Sequence, residues 1–440
     1  MTAFLGESLS RRSVFGVAAG IAAAGALAGC QGASTTGAVV GSATFFSTQF
    51  TPVEEKQRFE AVLKTFVTDP VTSFNSVGVS DFTTNLKTQV DAKQLQITVA
   101  GALHGDLTPL ADYLEDIDDL VADAQAAGIP QAMLDLGKLG GTKQKYIPWM
   151  QATYVVAVNK KALAWLPAGA DVNALTYDQY LAWAKAANAA NGKPVFGFPA
   201  GPKGLYHRWF QGYLLPSFTG AQITRFTSDD AITGWTWMQE FWANCNPAST
   251  NYDNLQEPLA RGEILVGWDH VARLVAAPKD KPDDWLMVPA PIGPKGLGYM
   301  LVVAGMAIPK GADKANAKKV IKALSAPKAQ VEVLKQNAFF PVVKAELPSD
   351  LPAPVKLEAQ AVAAQMNSPK ALLALPPVGL GTKDGELSQV FKDCFKEICL
   401  NKGDPKTVVT KYAATISAIL AAAKVPCWAP DPAATVCQVG

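Results

Sequence analysis

Short clusters in this 440-residue chain set an aromatic ring beside hydrogen-bonding side chains. Trp149 and Gln151 lie in Tyr146-Ile147-Pro148-Trp149-Met150-Gln151. A Trp beside an amide can cover the C–H face of a pyranose while the amide bonds its hydroxyls. Gly267-Trp268-Asp269-His270 adds a carboxylate, and Asp269 could accept from two vicinal hydroxyls through charge-assisted bonds. His104 and Asp106 follow a predicted strand, and Gln49 stands at another strand-to-helix turn. Trp209 and Tyr299 complete the candidate ligand-binding set. Each has a structural alternative: Trp149 and Trp209 can fill a core, Asp269 can cap the turn before Val271, and His104 with Asp106 can cap a turn of their own.

Catalytic chemistry has little to stand on. The chain holds no Gly-x-Ser-x-Gly, no His-Glu-x-x-His and no Gly-x₄-Gly-Lys-Ser/Thr, and Gly296-Leu297-Gly298 lacks the third glycine of a dinucleotide loop. Its three histidines, His104, His207 and His270, are far apart and show no ligand spacing, so neither a metal nor a cofactor is expected. Asp106 with Asp269 is the one carboxylate pair to nominate for a glycan-cleaving enzyme, and the expectation is that the chain is not an enzyme. With 39 basic and 38 acidic residues, a net charge of +1 leaves no footprint for nucleic acid and favours a neutral partner.

The elements that must position these residues alternate. Residues 43–47 read as a buried strand, followed by a helix with Thr51 at the N-cap, Pro52 at N1 and Glu54 completing a capping box. Phe59, Val62, Leu63 and Phe66 give that helix an apolar face. Further strands are predicted over 95–100, 154–158, 263–268 and 299–308. An acidic helix is predicted around 113–127. Others start at Thr176, with Gln179 closing a capping box and Gly192 ending the helix, and at Ser228. Helices at 314–324 and 328–335 precede a nearly all-helical stretch over 355–424. Alternation of this kind predicts an α/β fold, and the length exceeds the roughly 250–300 residues that one core holds, so two lobes are expected. In open α/β sheets the turns after strands line the ligand crevice.

The start of the chain carries an address. Arg11 and Arg12 precede an apolar run from Val14 to Gly29, which is shorter than the roughly 20 residues of a membrane span. That pattern predicts an export signal over 1–29. Leu27-Ala28-Gly29-Cys30 resembles a bacterial lipobox, which implies cleavage before Cys30 and acylation of its sulfur; a plain signal with an incidental Cys is the alternative. Ser10-Arg11-Arg12-Ser13-Val14-Phe15 resembles a twin-arginine motif, with Val14 where Phe is usual. Residues 30–42 then read as the lipidated Cys and a flexible tether, and the lipid as the only membrane anchor of an exported body. Of the other cysteines, Cys394, Cys399, Cys427 and Cys437 crowd the C-terminal end, while Cys245 stands apart. In an oxidising compartment they are disulfide candidates, with at least one bridge expected to tie the tail to the helix carrying Cys394 and Cys399; the pairings stay open.

The order of several motifs resembles the extracellular solute-binding proteins of carbohydrate ABC importers, the broad group that includes maltose-binding protein. The resemblance is carried by Phe45-Phe46-Ser47-Thr48-Gln49-Phe50-Thr51-Pro52, by Ile147-Pro148-Trp149-Met150-Gln151-Ala152-Thr153-Tyr154 running into Asn159-Lys160, and by Leu175-Thr176-Tyr177-Asp178. Arg261-Gly262-Glu263, Ala304-Gly305-Met306-Ala307-Ile308-Pro309-Lys310 and Gln336-Asn337-Ala338-Phe339-Phe340-Pro341-Val342 continue it. It implies a periplasmic-binding-protein-like fold with hinge-crossing strands and a helical C-terminal region. One lobe would be 43–153 plus 306–340, and the other 154–305 plus 341–425, with a Cys-bearing tail over 426–440 assigned to stability. The crossings would fall near 154–159, 300–305 and 340–343. The implied function is capture of a neutral sugar or oligosaccharide by lobe closure, by a lipid-anchored monomer that serves an ABC permease and its ATPase outside the cytoplasmic membrane. A sugar phosphate or glycerophosphodiester is the alternative ligand, for which Arg208 and Arg273 are the candidate partners.

Overall fold

The computed structural model describes residues 42–51, 53–343, 345–380 and 383–440. The export signal, Cys30, the tether up to residue 41 and Pro52 lie outside the described residues.

Strand β1 (Ser42–Ser47) shows how the first lobe is laid down. A strand alternates its faces, so Phe45 and Phe46 point oppositely. Phe45 meets Phe59, Phe74 and Trp149 on one side, whereas Phe46 stacks on Phe82 on the other, with centroids 5.1 Å apart. The crossover helices Val53–Phe66 and Val79–Asp91 supply Phe59 and Phe82, and each returns the chain in a parallel direction. Thus β2 (Val71–Ser76) and β3 (Val99–Leu103) lie parallel to β1 on its two sides. The full sheet has the order β11-β4-β10-β3-β1-β2, with β4 (Tyr146–Ala152), β10 (Val302–Ala307) and β11 (Phe340–Pro341) joined antiparallel.

A second sheet, order β6-β7-β5-β8, comprises β5 (Tyr154–Asn159), β6 (Phe196–Gly197), β7 (Val266–His270) and β8 (Trp285–Val288). A two-stranded pair joins β9 (Leu297–Met300) to β12 (Ala371–Ala374). The chain leaves the first sheet at Thr153, between β4 and β5, and comes back to it at Leu301, between β9 and β10. These two passages are pinned together: Thr153 Oγ1 donates to the Met300 carbonyl at 2.7 Å, and the Tyr213 hydroxyl donates to the Tyr154 carbonyl at 2.9 Å. The resulting architecture is α/β with two lobes.

Several expected elements move. Residues 95–98 do not pair as a strand, because Thr98 exchanges bonds with Thr44 through its own N–H and hydroxyl; the ladder starts only at Val99, opposite Phe45. The acidic helix around 113–127 is broken. Leu114 is extended and Ile117 bonds Gln144, both side chains turning inward, and the only α-helical part is Val121–Ala126. Glu263 is not in a strand: it bonds Arg261 and Tyr252 at the surface, and β7 begins at Val266. The single strand over 299–308 is two strands in different sheets. Within the expected helical stretch over 355–424, β12 separates Ala353–Met366 from Asp384–Phe395. By contrast the capping box of Tyr177–Asn191 forms on both sides, and Gly192 adopts φ 69°, the left-handed stop that only Gly takes without cost.

The cysteines also differ from expectation. Cys427 bonds Cys437, so the bridge closes a loop within the tail instead of tying it to the helix. Cys394 and Cys399 remain buried thiols, as does Cys245. Cys394 and Phe391 belong to the core face of Asp384–Phe395, which packs Phe395 on Phe198, Tyr206 and Phe210 of the second lobe.

Candidate functional site

Parallel strands bring their carboxyl ends to one edge. In register, Ser47 of β1 stands beside Ser76 of β2 and Gly101 of β3, so the turns after these strands share a rim. The turn after β1 holds Thr48 and Gln49, the turn after β2 leads to Ser80 and Thr83, and β3 runs into the one-turn helix His104–Leu107. A cleft of about 690 Å³ opens on this rim, lined on the first-lobe side by Ser80, Thr83, Leu103 and Asp106. Its opposite wall is Arg208, Pro376, Pro377 and Asp384. The walls touch at Gly105, where a Cβ would stand 2.9 Å from the Pro377 carbonyl oxygen.

The cleft carries a defined set of charges. Thr48 Oγ1 donates to Asp106 Oδ2 at 3.4 Å, and Gln49 Nε2 donates to Thr48 Oγ1 at 3.0 Å. Burial, and then the neighbouring Asp384 carboxylate, raises the Asp106 pKa to about 6; the Leu103 backbone, Arg208 and Thr48 act in the other direction. Across the cleft Arg208 Nη2 lies 3.6 Å from Asp384 Oδ2, and Arg208 Nη1 donates to Gln211 Oε1 at 3.0 Å. Asp384 Oδ1 and Gln211 Nε2 are buried without a protein partner. Asp384 lines the cleft and Gln211 does not, so the Asp384 oxygen favours a ligand that offers a donor there, because an unmet buried polar atom costs about 1–3 kcal/mol. Beside the rim, His104 Nδ1 shares a 2.8 Å hydrogen bond with the Tyr146 hydroxyl, and burial lowers the imidazole pKa to about 4, so the ring is neutral.

The predicted site residues separate into two groups. Gln49, His104 and Asp106 gather at the rim. The aromatic candidates do not line the cleft. Trp149 is 1% exposed and packs on Phe45, Phe50 and Phe59 in the first lobe. Trp268 is equally enclosed, stacked on Tyr154 at 4.7 Å, and Trp209 stacks on Tyr213 at 5.7 Å. Tyr299 lies buried in β9. Asp269 accepts from the Leu255 and His270 backbone N–H groups at 2.9 and 2.7 Å, and His270, not Asp269, caps the following turn. It does not line the cleft with Asp106 as an acid–base pair would. Gln151 donates to the Pro341 carbonyl and holds β11 in place. Arg273 donates to the Asp253 carbonyl, outside the cleft, and of the two arginines only Arg208 enters it.

Asp384 and the Pro376-Pro377 wall were not singled out from sequence. Acidic residues at helix starts are common caps, and only the fold brings position 384 to face position 106. The described residues contain no cluster suited to a metal ion, and no helix among them is long and apolar enough to cross a membrane.

No curated protein sequence matches the chain. Solved structures match its fold at low identity. The maltose-bound MalE3 of T. maritima superposes with a TM-score of 0.66 at 18% identity, over 86% of this chain and all of that one. The ABC substrate-binding protein of Listeria monocytogenes in complex with cycloalternan gives 0.67 at 16%, over 86% and 99% of the two chains. UgpB of Mycobacterium tuberculosis in complex with glycerophosphocholine gives 0.66 at 17%, over 87% and 99%. The family model described as bacterial extracellular solute-binding protein matches residues 52–331, well over half of the sequence, and the chain therefore belongs to that family.

Proposed function

We propose that this protein is the lipid-anchored, extracytoplasmic receptor of an ABC importer, and that it captures a neutral sugar or short oligosaccharide by closing its lobes on it. The observation that supports this reading best is the cleft itself. Asp106, with Thr48 and Gln49 bonded in series behind it, and Ser80 and Thr83 face it from one lobe, and Arg208 with Asp384 from the other. A carboxylate accepts from vicinal hydroxyls and a guanidinium donates to ring and hydroxyl oxygens, so a polyol meets complementary groups on both walls. A ligand touching both walls stabilises the closed arrangement through contacts that the open one lacks. The lobes would be 43–153 with 306–340 and 154–305 with 341–425, and the body a monomer. The ligands bound in the matched structures, maltose and cycloalternan among them, are in keeping with this class.

A second ligand class has a specific observation in its favour: Arg208 and Lys87 both line the cleft, together with two carboxylates. Opposite charges so arranged also suit a phosphodiester joined to a cationic group. Thermal unfolding against mono-, di- and oligosaccharides, sugar phosphates and glycerophosphodiesters separates the two. A ligand at roughly 1,000 times its Kd adds about 4 kcal/mol. The expected result is a rise of several degrees with one neutral sugar family. A rise with phosphodiesters alone, abolished by Arg208→Ala, would replace the sugar reading, and no rise with any member would overturn both. Attachment to lipid is checked separately: metabolic labelling with a fatty acid should tag the wild type and fail in Cys30→Ser.

A further inference from the structure

The tail makes more polar contacts than a stabilising end requires, and they converge on one place. Asp431, only 7% exposed, accepts from the backbone N–H groups of Gln222, Ile223 and Thr224 at 2.8, 3.0 and 2.6 Å, and from the Thr224 hydroxyl at 2.7 Å. Trp428 Nε1 donates to Gln222 Oε1 at 2.9 Å. So held, Gln222 Nε2 donates to the carbonyls of Leu375, at 2.7 Å, and Ala429, at 3.1 Å. The Leu375 N–H completes the circuit by donating to the Ala429 carbonyl at 2.9 Å. Both polar groups of the Leu375 backbone are thus fixed by the tail or by the residue that the tail orients. The next two residues, Pro376 and Pro377, are cleft wall, and neither has an N–H with which to anchor itself. Beyond them Gly379 takes φ 77°, and a Cβ there would be 3.0 Å from Val425 Cγ1, immediately before the tail.

We infer that the loop closed by Cys427 and Cys437 is a positioning element of the ligand cleft: through Asp431, Trp428 and Ala429 it sets Gln222 and Leu375, and with them the Pro376-Pro377 wall. The disulfide matters because the loop has few backbone bonds of its own. Its internal backbone bonds are Cys427 N–H to Ala434 and Asp431 N–H to Trp428, while Cys437 N–H reaches back to Val425. None of these tail residues touches the cleft, so they act through the wall. The inference rests on reading the cleft as the ligand site, yet its test needs no ligand.

Hydrogen exchange of the ligand-free full chain, followed by mass spectrometry, compares wild type with Cys427→Ser/Cys437→Ser and with Asp431→Asn. The Leu375 N–H, and with it the peptide spanning 371–380, should exchange at least about tenfold faster in both variants, with β4 and β5 unchanged. Faster exchange confined to 425–440 would overturn the inference, since the wall would then stand without the tail. Faster exchange throughout the molecule would equally overturn it, by making the loop a general stabiliser. Asp431→Asn keeps the disulfide and so guards against a double variant that fails to fold. A failed sugar panel leaves this result unaffected, and a failed exchange test leaves the sugar panel unaffected.

Discussion

Asp106 is pulled two ways, by burial beside another carboxylate and by Arg208, and the outcome is a pKa of about 6 against an ordinary 3.8. A raised acid pKa means that the folded chain holds the proton more tightly than the unfolded chain. The stability this group contributes is complete below pH 3.8 and is lost as the pH rises through about 6. Compared with Asp106→Asn, the wild type should lose up to about 3 kcal/mol between pH 4 and 7, read from denaturant midpoints. A pH-independent difference would place the carboxylate in free contact with water. Glu358 is a more extreme case: it is fully buried, neither side-chain oxygen has a protein partner, and burial raises its pKa well above 4.5. Here too stability is present in full below the unfolded value and falls as the pH rises above it. Glu358→Met should therefore stabilise the protein at neutral pH by about 1–3 kcal/mol, because it removes an unpaired polar group at similar volume. Destabilisation would mean that the carboxyl has a partner after all.

Among the elements, those with local signals were legible in the sequence and those set by tertiary neighbours were not. The Thr176–Gln179 capping box and the Gly192 stop formed as read, since each depends on residues within one or two turns. Thr176→Ala should cost about 1 kcal/mol, measured by denaturant unfolding. The tryptophans illustrate the opposite case. Trp149 lies in β4, all seven residues of which are buried, so no alternation marks one face as accessible. The composition of its cluster suggested a sugar platform, while the packing of Phe45, Phe50 and Phe59 around it makes it core. Asp106 could be nominated because it follows a strand, whereas its opposite numbers Arg208 and Asp384 are joined to it only by the way two lobes meet. At the contact of those lobes the turn needs Gly105, which leaves no room for a Cβ against Pro377. Gly105→Ala should hold the walls apart and increase the radius of gyration in small-angle scattering; an unchanged radius would mean that the wall yields instead.

At the scale of the molecule, the chain passes between the two sheets at Thr153, at Leu301 and again between β11 and the helix Ala353–Met366, and the bonds from Thr153 and Tyr213 hold the first two passages in place. Thr153→Val would remove the Oγ1 bond to Met300 and should loosen the crossing, seen as faster exchange around 297–301 with the outer strands β2 and β8 unaffected. The three free thiols among the described residues have a different consequence. Cys394 is fully enclosed in the second lobe, whereas Cys245 and Cys399 line a pocket of about 810 Å³ on that lobe, and burial raises each thiol pKa above its ordinary value. A soluble alkylating reagent reaches Cys394 only when that lobe opens, and can approach Cys245 and Cys399 from the pocket. The rate at which Cys394 becomes tagged, resolved by peptide mass from the other two, is then a clock for opening of the core. The chain carries its own probe of native-state breathing, needing no engineered label, and bound solute should slow the Cys394 clock if it stabilises the lobe as a unit, with the Cys245 and Cys399 rates as the internal reference.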